Sequence, residues 1–102
     1  MHLQVEGSGK GWFVGPWDSE VPVAVGYAHL GVDDPHAHDQ MFEIYLVARG
    51  ACTAVVNGQA VSLAPGDALV VEPGDHHTFT VSSHDYLHFV VQAPFVPGDK
   101  HG

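Results

Sequence analysis

The chain has 102 residues, which suits one compact domain and leaves no room for a second. Its 12 Asp and Glu residues face only 3 Lys and Arg residues, for a formal net charge of −9 with histidine neutral. This balance excludes nucleic acid and anionic membrane surfaces as partners, and it disfavours substrates that carry several phosphates.

The two ends of the chain predict little regular structure. Residues 1–11 are glycine-rich and polar, and residues 93–102 contain two prolines. We therefore expect peripheral ends on a single domain, residues 1–102, whose core covers about residues 20–92. The N-terminus has no apolar leader and Cys52 is the only cysteine, so we expect a soluble, cytoplasmic protein.

Short runs rich in Val, Ile, Tyr, Phe and Thr fill the rest of the chain, with turn residues between them. This spacing predicts an all-β sandwich or barrel. Asn57-Gly58 is the clearest hairpin signal, because a type I′ turn needs positive φ at both central residues. The predicted strands lie at residues 21–30, 43–48, 52–56, 60–63, 68–72, 77–81 and 86–92.

Three potential metal ligands, His36, His38 and Glu43, precede and enter one of these strands. Residues two apart in a strand share a face, so the two histidines can point at one ion. Glu43 lies at an odd offset of five residues and would face the other way in a straight strand. A bend at Asp39 and Gln40 would restore a common face. These residues therefore allow a metal site, but a solvent-facing polar strand edge is the alternative.

A mononuclear metal site normally takes at least three protein ligands, and a catalytic one keeps a position open. A further ligand would have to come from another strand that reaches the same layer. His76 and His77, directly after the turn at Pro73-Gly74, are the candidates.

Two stretches in this order resemble the two motifs of the cupin superfamily. The first is a glycine, H-x-H, four residues, a glutamate, six residues and a glycine. The second opens with glycine-aspartate and closes on a histidine after a proline-glycine turn. The matching residues are Gly31, His36, His38, Glu43 and Gly50 in the first motif, and Gly66, Asp67, Gly74 and His77 in the second.

The resemblance implies a single-domain jelly-roll β-barrel, also called a double-stranded β-helix. It implies a metal held by His36, His38, Glu43 and His77. Three imidazoles and one carboxylate suit one divalent transition metal ion (Fe, Mn, Ni, Co or Zn). His76 would then point outward, because adjacent strand residues face opposite ways. Small cupins resemble one another in forming dimers, so we also expect a homodimer.

Other residues take their expected places from strand alternation. Tyr45 would share the interior face with Glu43, and Tyr86 and His88 would line the pocket if their face is interior; a strand edge or a satisfied buried histidine is the alternative. The opposite faces supply the candidate dimer contacts, which are Ile44, Leu46, Leu87, Phe89 and Val91.

The fold alone does not choose a function. One hypothesis is a metal-dependent enzyme, a dioxygenase or an isomerase, that acts on a small oxygen-rich molecule. The other is a non-catalytic metal-containing module that binds or senses a small ligand. The sequence assigns no catalytic residue and leaves open whether there is turnover.

Overall fold

A computed structural model describes residues 1–29 and 35–101 of the chain, so Gly31 of the first motif lies outside the described part. No helix in this part could cross a membrane. The strands are β1 (Lys10–Val14), β2 (Ala24–Ala28), β3 (Ala37–His38), β4 (Phe42–Arg49), β5 (Cys52–Val56), β6 (Gln59–Leu63), β7 (Ala68–Val71), β8 (His77–Ser82), β9 (Leu87–Ala93) and β10 (Lys100–His101).

The strands form two facing antiparallel sheets and one small ribbon. The larger sheet has the order β1-β2-β9-β4-β7, the smaller one has the order β6-β5-β8, and β10 pairs with β3. Side chains from the five-stranded and the three-stranded sheet meet in one core. The prediction of an all-β barrel is confirmed. The core comprises Tyr45, Val47, Cys52, Ala54, Leu63, Val71, Phe79, Tyr86 and Val90.

Strand alternation decides what enters the barrel. Along β4, Glu43, Tyr45 and Val47 are buried, whereas Phe42 and Leu46 on the other face are exposed. A period of two follows from the pleat of the strand, and it places the polar Glu43 on the same interior face as apolar core residues.

The hairpin between β5 and β6 has the predicted turn. Asn57 and Gly58 have φ values of 49° and 82°, and the flanking Val56 and Gln59 are paired in register. Asn57 also donates from Nδ2 to Asp75 at 2.8 Å and accepts from the backbone N–H of His76 at 2.9 Å. The hairpin therefore holds the turn that precedes β8.

The N-terminal segment contributes more than the sequence predicted. Residues 10–14 form the edge strand β1, which pairs with β2 and places Trp12 opposite Gly26. A Cβ at Gly26 would lie 2.7 Å from the Gly11 carbonyl oxygen and 2.7 Å from the Trp12 ring. Glycine is therefore required where the Trp12 indole crosses β2.

The outer face of the larger sheet is apolar. Phe42, Leu46 and Val70 are 41%, 43% and 54% exposed, and Ile44, Phe89 and Val91 are partly buried. Leu87 was also expected on this surface, but it is only 7% exposed. Its side chain is covered within the chain, so the prediction that it contacts a second subunit is wrong.

Candidate metal centre

The first motif folds around a bend between β3 and β4. His36 exchanges backbone hydrogen bonds with His77 at 3.1 and 2.8 Å, which ties the start of β3 to the start of β8. The Asp99 carboxylate then accepts hydrogen bonds from the backbone N–H groups of Gln40 and Met41, both at 2.9 Å. This bend brings Glu43 to the same side as the two histidines, as its odd offset required.

Four candidate ligand atoms converge inside the barrel. One atom each from His36, His38, Glu43 and His77 lies within 4.8 Å of the others. The Glu43 Oε1 atom is 2.8 Å from Nε2 of His77, 3.0 Å from Nε2 of His38 and 3.9 Å from Nε2 of His36. All four side chains are buried. His76, the other candidate of the second motif, is exposed and is not part of this cluster.

Neighbouring groups fix the orientation of this cluster. Nδ1 of His77 lies 3.0 Å from the Asp75 carbonyl oxygen, to which it can donate, and this turns Nε2 toward the centre. Gln92 donates from Nε2 to Oε2 of Glu43 at 2.9 Å, and the Tyr45 hydroxyl donates to Oε1 at 2.9 Å. Protein groups thus hold the carboxylate on both oxygens.

The electrostatics are those of a carboxylate among imidazoles. Burial alone would raise the pKa of Glu43, but hydrogen bonds from His77 and Gln92 and the charges of His38 and His77 lower it to about 2. Burial opposes a charge on His77 as well, yet its contacts with Glu43 and the Asp75 carbonyl raise its pKa. The charged forms are therefore favoured at both groups.

The donor set suits a divalent transition metal. To bond the Asp75 carbonyl and the Glu43 carboxylate together, His77 donates a proton from each ring nitrogen. A metal ion can replace the Nε2 proton without disturbing the other hydrogen bond. Nitrogen ligands with one carboxylate are compatible with Fe, Mn, Ni, Co or Zn. The cluster could therefore hold a metal ion.

A pocket of about 720 Å³ opens onto this cluster, and His36, His38 and Glu43 form part of its wall. Tyr45 and His88 also line it. Tyr86 does not, because it is fully buried behind His88, with its hydroxyl 2.6 Å from Nδ1 of that ring. The remaining lining residues are Gly9, Lys10, Gly11, Trp12, Tyr27, Ala28, Phe79, Val90, Gln92 and Lys100.

Some residues at the site were missed from the sequence. The sequence could have indicated Gln92, because residues four apart in a strand share a face and His88 was already a candidate for the interior. Gln92 is paired with Glu43 across the sheet. Trp12 and Lys10 reach the pocket from β1, a strand that the glycine-rich N-terminus did not predict. Asp99 carried no signal, because it acts on backbone that lies 58 and 59 residues earlier.

The family model described as Cupin domain matches residues 23–92, which is most of the chain. The chain belongs to the cupin family. That assignment confirms the resemblance drawn from the two motifs. A search of curated proteins gave no match to this cupin.

Solved structures show the same fold. A cupin protein from Bacteroides fragilis is 21% identical, with 100% of this chain and 88% of that one covered and a TM-score of 0.71. KdgF from Halomonas sp. is 21% identical, with 95% and 89% covered and a TM-score of 0.72. Streptomyces PAC13 with uridine is 20% identical, with 95% and 80% covered and a TM-score of 0.73. At these sequence identities, the three structures show that this cupin shares their fold and nothing further.

Proposed function

We propose that this cupin is a metal-dependent enzyme of the dioxygenase or isomerase type that acts on a small oxygen-rich molecule. His36, His38, Glu43 and His77 would hold one divalent transition metal ion. The observation that carries the proposal is the convergence of four buried ligand atoms, within 4.8 Å of one another, at the wall of a pocket of about 720 Å³. A pocket of this size admits a small metabolite.

The protein groups have separable roles. A bound ion would supply Lewis-acid polarisation of a substrate oxygen or, if it is iron, dioxygen chemistry. Gln92 and Tyr45 hold the Glu43 carboxylate in place, and the Asp75 carbonyl holds His77. Apolar groups of Trp12, Phe79 and Val90 would exclude water and position the carbon skeleton.

The substrate class follows from size and charge. The chain has only 3 Lys and Arg residues, which disfavours a sugar phosphate as the substrate. If the protein is an isomerase, its substrate should therefore carry no phosphate. A nucleoside dehydratase, PAC13, is among the structural neighbours and was crystallised with uridine. That neighbour supports a barrel of this kind accepting a small oxygen-rich molecule, and it does not select the reaction.

Metal content tests the site. Protein purified without chelators or a histidine tag should contain close to one transition metal ion per chain by elemental analysis. The His38→Ala variant should lose most of it, and the matched His76→Ala variant, altered at an exposed histidine next to His77, should keep it. Equal metal in all three proteins would refute the ligand assignment.

Turnover is tested separately. Fe(II)-loaded protein should consume oxygen with at least one member of a panel of enols, catechols and thiols, and the His38→Ala variant should not. An isomerase would convert a hydroxy-carbonyl substrate without oxygen uptake. A flat oxygen trace and unchanged substrates across the panel would count against both enzyme versions.

A metal-containing binding or sensing module is the second candidate. It is favoured by the small number of ionisable groups that line the described pocket apart from the metal-ligand candidates, namely Lys10, Tyr27, Tyr45, His88 and Lys100. Such a module would show ligand-dependent increases in melting temperature with no product, whereas an enzyme would show both.

We also propose that the chain forms a homodimer in the cytoplasm. Phe42, Leu46 and Val70 form an exposed apolar surface on the larger sheet, and a contact there would cover it. Light scattering that reports a particle of 10.9 kDa at micromolar concentration would refute the dimer. The cytoplasmic location is a prediction supported by the free, buried Cys52.

A further inference from the structure

His88 is a buried polar residue that the metal-ligand cluster does not use. It lies on β9 with only 4% of its surface exposed, and its ring lines the pocket beside Tyr45 and Phe79. On the interior face of the larger sheet it is paired with Ala28 of β2, which is paired in turn with Lys10 of β1.

The hydrogen bond to Tyr86 bears on which nitrogen of His88 carries the proton. The Tyr86 hydroxyl lies 2.6 Å from Nδ1 of His88. Burial raises the pKa of Tyr86 well above its ordinary value, with a hydrogen bond to the Cys52 thiol adding to the effect, so the hydroxyl keeps a proton that it can donate to Nδ1 of His88. Burial also lowers the pKa of His88 to about 4, so the ring is neutral. A neutral ring that accepts at Nδ1 carries its proton on Nε2.

With Tyr86 as the donor to Nδ1, the Nε2–H group of His88 is the donor that faces the pocket. Among the described residues, His88 bonds through Nδ1 to the buried Tyr86. The ring also lines the pocket, with the edge opposite Nδ1 on the pocket side. An N–H group at the wall of the pocket can donate to a bound molecule, so a pocket ligand that offers an acceptor oxygen here is favoured.

The charge of the pocket selects among such acceptors. Two of the chain's 3 cationic residues, Lys10 and Lys100, line this one pocket in a protein with a net charge of −9. The small Ala28 side chain lies between Lys10 and His88 in the strand register. A space flanked by an ammonium group and an N–H donor suits an anionic oxygen, while Trp12 and Phe79 suit an apolar or planar skeleton.

We propose that the pocket selects a small organic anion, such as a carboxylate or enolate, whose oxygen accepts the Nε2–H of His88 and is attracted by Lys10. Tyr86 is the positioning residue that fixes the His88 tautomer. This proposal rests on the proposed function because both use the same pocket. It assigns the class of substrate and leaves the reaction open.

Binding of matched probes tests the selection. Acetate, benzoate and indole-3-acetate, each paired with its neutral amide, are titrated by calorimetry into metal-free and zinc-loaded protein. We expect at least one anion to bind about tenfold more tightly than its amide, the difference between a charge-assisted and a neutral hydrogen bond. Lys10→Gln and His88→Phe should each reduce that preference, and Arg49→Gln, which alters the cation away from the pocket, should not.

Tautomer measurement keeps the test independent of folding effects. Long-range proton–nitrogen NMR correlations should show Nε2 protonated and Nδ1 bare at His88, and Tyr86→Phe should lose this single tautomer and weaken the anion preference. A protonated Nδ1 in the wild-type protein would overturn the proposal. So would equal affinities within every pair, no binding of any anion, or a preference that Lys10→Gln and His88→Phe leave intact.

The two proposals fail in different ways. If the metal site is absent, zinc will not bind, yet the anion preference of the metal-free protein will remain. If the anion preference is absent, the metal content of wild type and His38→Ala will still differ. An anion preference that appears only with zinc and survives both pocket variants would assign the selection to the metal and overturn the role of His88.

Discussion

Gln92 donates from Nε2 to Oε2 of Glu43 at 2.9 Å, across the register of β9 and β4. This bond leaves Oε1 of Glu43 to meet the three histidines. Gln92 thus acts on the candidate metal site through Glu43, without being one of the four candidate ligands.

Replacing Gln92 should weaken metal binding without abolishing it. In Gln92→Leu the carboxylate loses its orienting donor, and losses of this kind typically cost about 10- to 100-fold in metal affinity. Competition with a chromophoric zinc chelator measures the change. Gln59→Leu, at an exposed position on the β5–β6 hairpin, is the control and should bind as wild type does. Unchanged zinc affinity in Gln92→Leu would show that Glu43 needs no support from β9.

Metal addition should stabilise the fold. Ligands that meet only in the folded barrel bind the native state in preference to the unfolded chain, so free zinc at 100 times its dissociation constant should add about 2.7 kcal/mol to the free energy of unfolding. Thermal melts with and without zinc report the shift, and a chelator should reverse it. His38→Ala should lose most of the shift. A melting temperature that is independent of zinc in wild type would contradict a specific site.

Much of this structure was accessible from the sequence because its causes are local. Alternation placed Glu43 and Tyr45 on the interior face, and the turn at Asn57-Gly58 fixed a hairpin. The pairing of the first motif with His77 came from the cupin resemblance. Alternation could not say how deeply a residue lies below the pocket wall. Tyr86 and His88 were both candidates for the pocket if their face was interior, and the structure places Tyr86 behind His88.

The missed features depend on contacts between distant parts of the chain. Strand β1 contains Gly11 and is preceded by the glycine-rich segment at residues 7–9, and it forms because β2 offers an open edge to pair with. The bend between β3 and β4 was expected at Asp39 and Gln40, but the carboxylate of Asp99 that holds it comes from near the C-terminus. No local pattern encodes either contact.

Gly26 should be essential to the fit of β1. In Gly26→Ala the new methyl group would meet the Gly11 backbone and the Trp12 ring at 2.7 Å, so β1 must shift away from β2. Overpacking of this kind typically destabilises by about 1–3 kcal/mol. Denaturant unfolding followed by tryptophan fluorescence measures it. Gly9→Ala is the control, because a Cβ there meets nothing within 4 Å. Equal loss of stability in the two variants would refute the close approach at Gly26.

Acidification should destabilise the metal-free protein through His88. Its pKa falls from an ordinary 6.5 to about 4 because burial penalises the charged ring. Between these values the unfolded chain binds more protons at this residue than the folded protein does, so stability decreases as the pH falls through that window. For this one residue the decrease from pH 7.5 to pH 5 amounts to about 2 kcal/mol.

The comparison of variants isolates this effect from the other titrating groups. His88→Phe removes the ring and should flatten the dependence of unfolding free energy on pH between 7.5 and 5, whatever its stability at neutral pH. His84→Phe, altered at an exposed histidine, should keep the wild-type slope. Glu43 and His77 are present in all three proteins, so the difference between the wild-type and His88→Phe curves reports His88 together with its charge interaction with Glu43. Parallel curves for wild type and His88→Phe would mean that His88 is charged or solvated in the folded state, contrary to its burial.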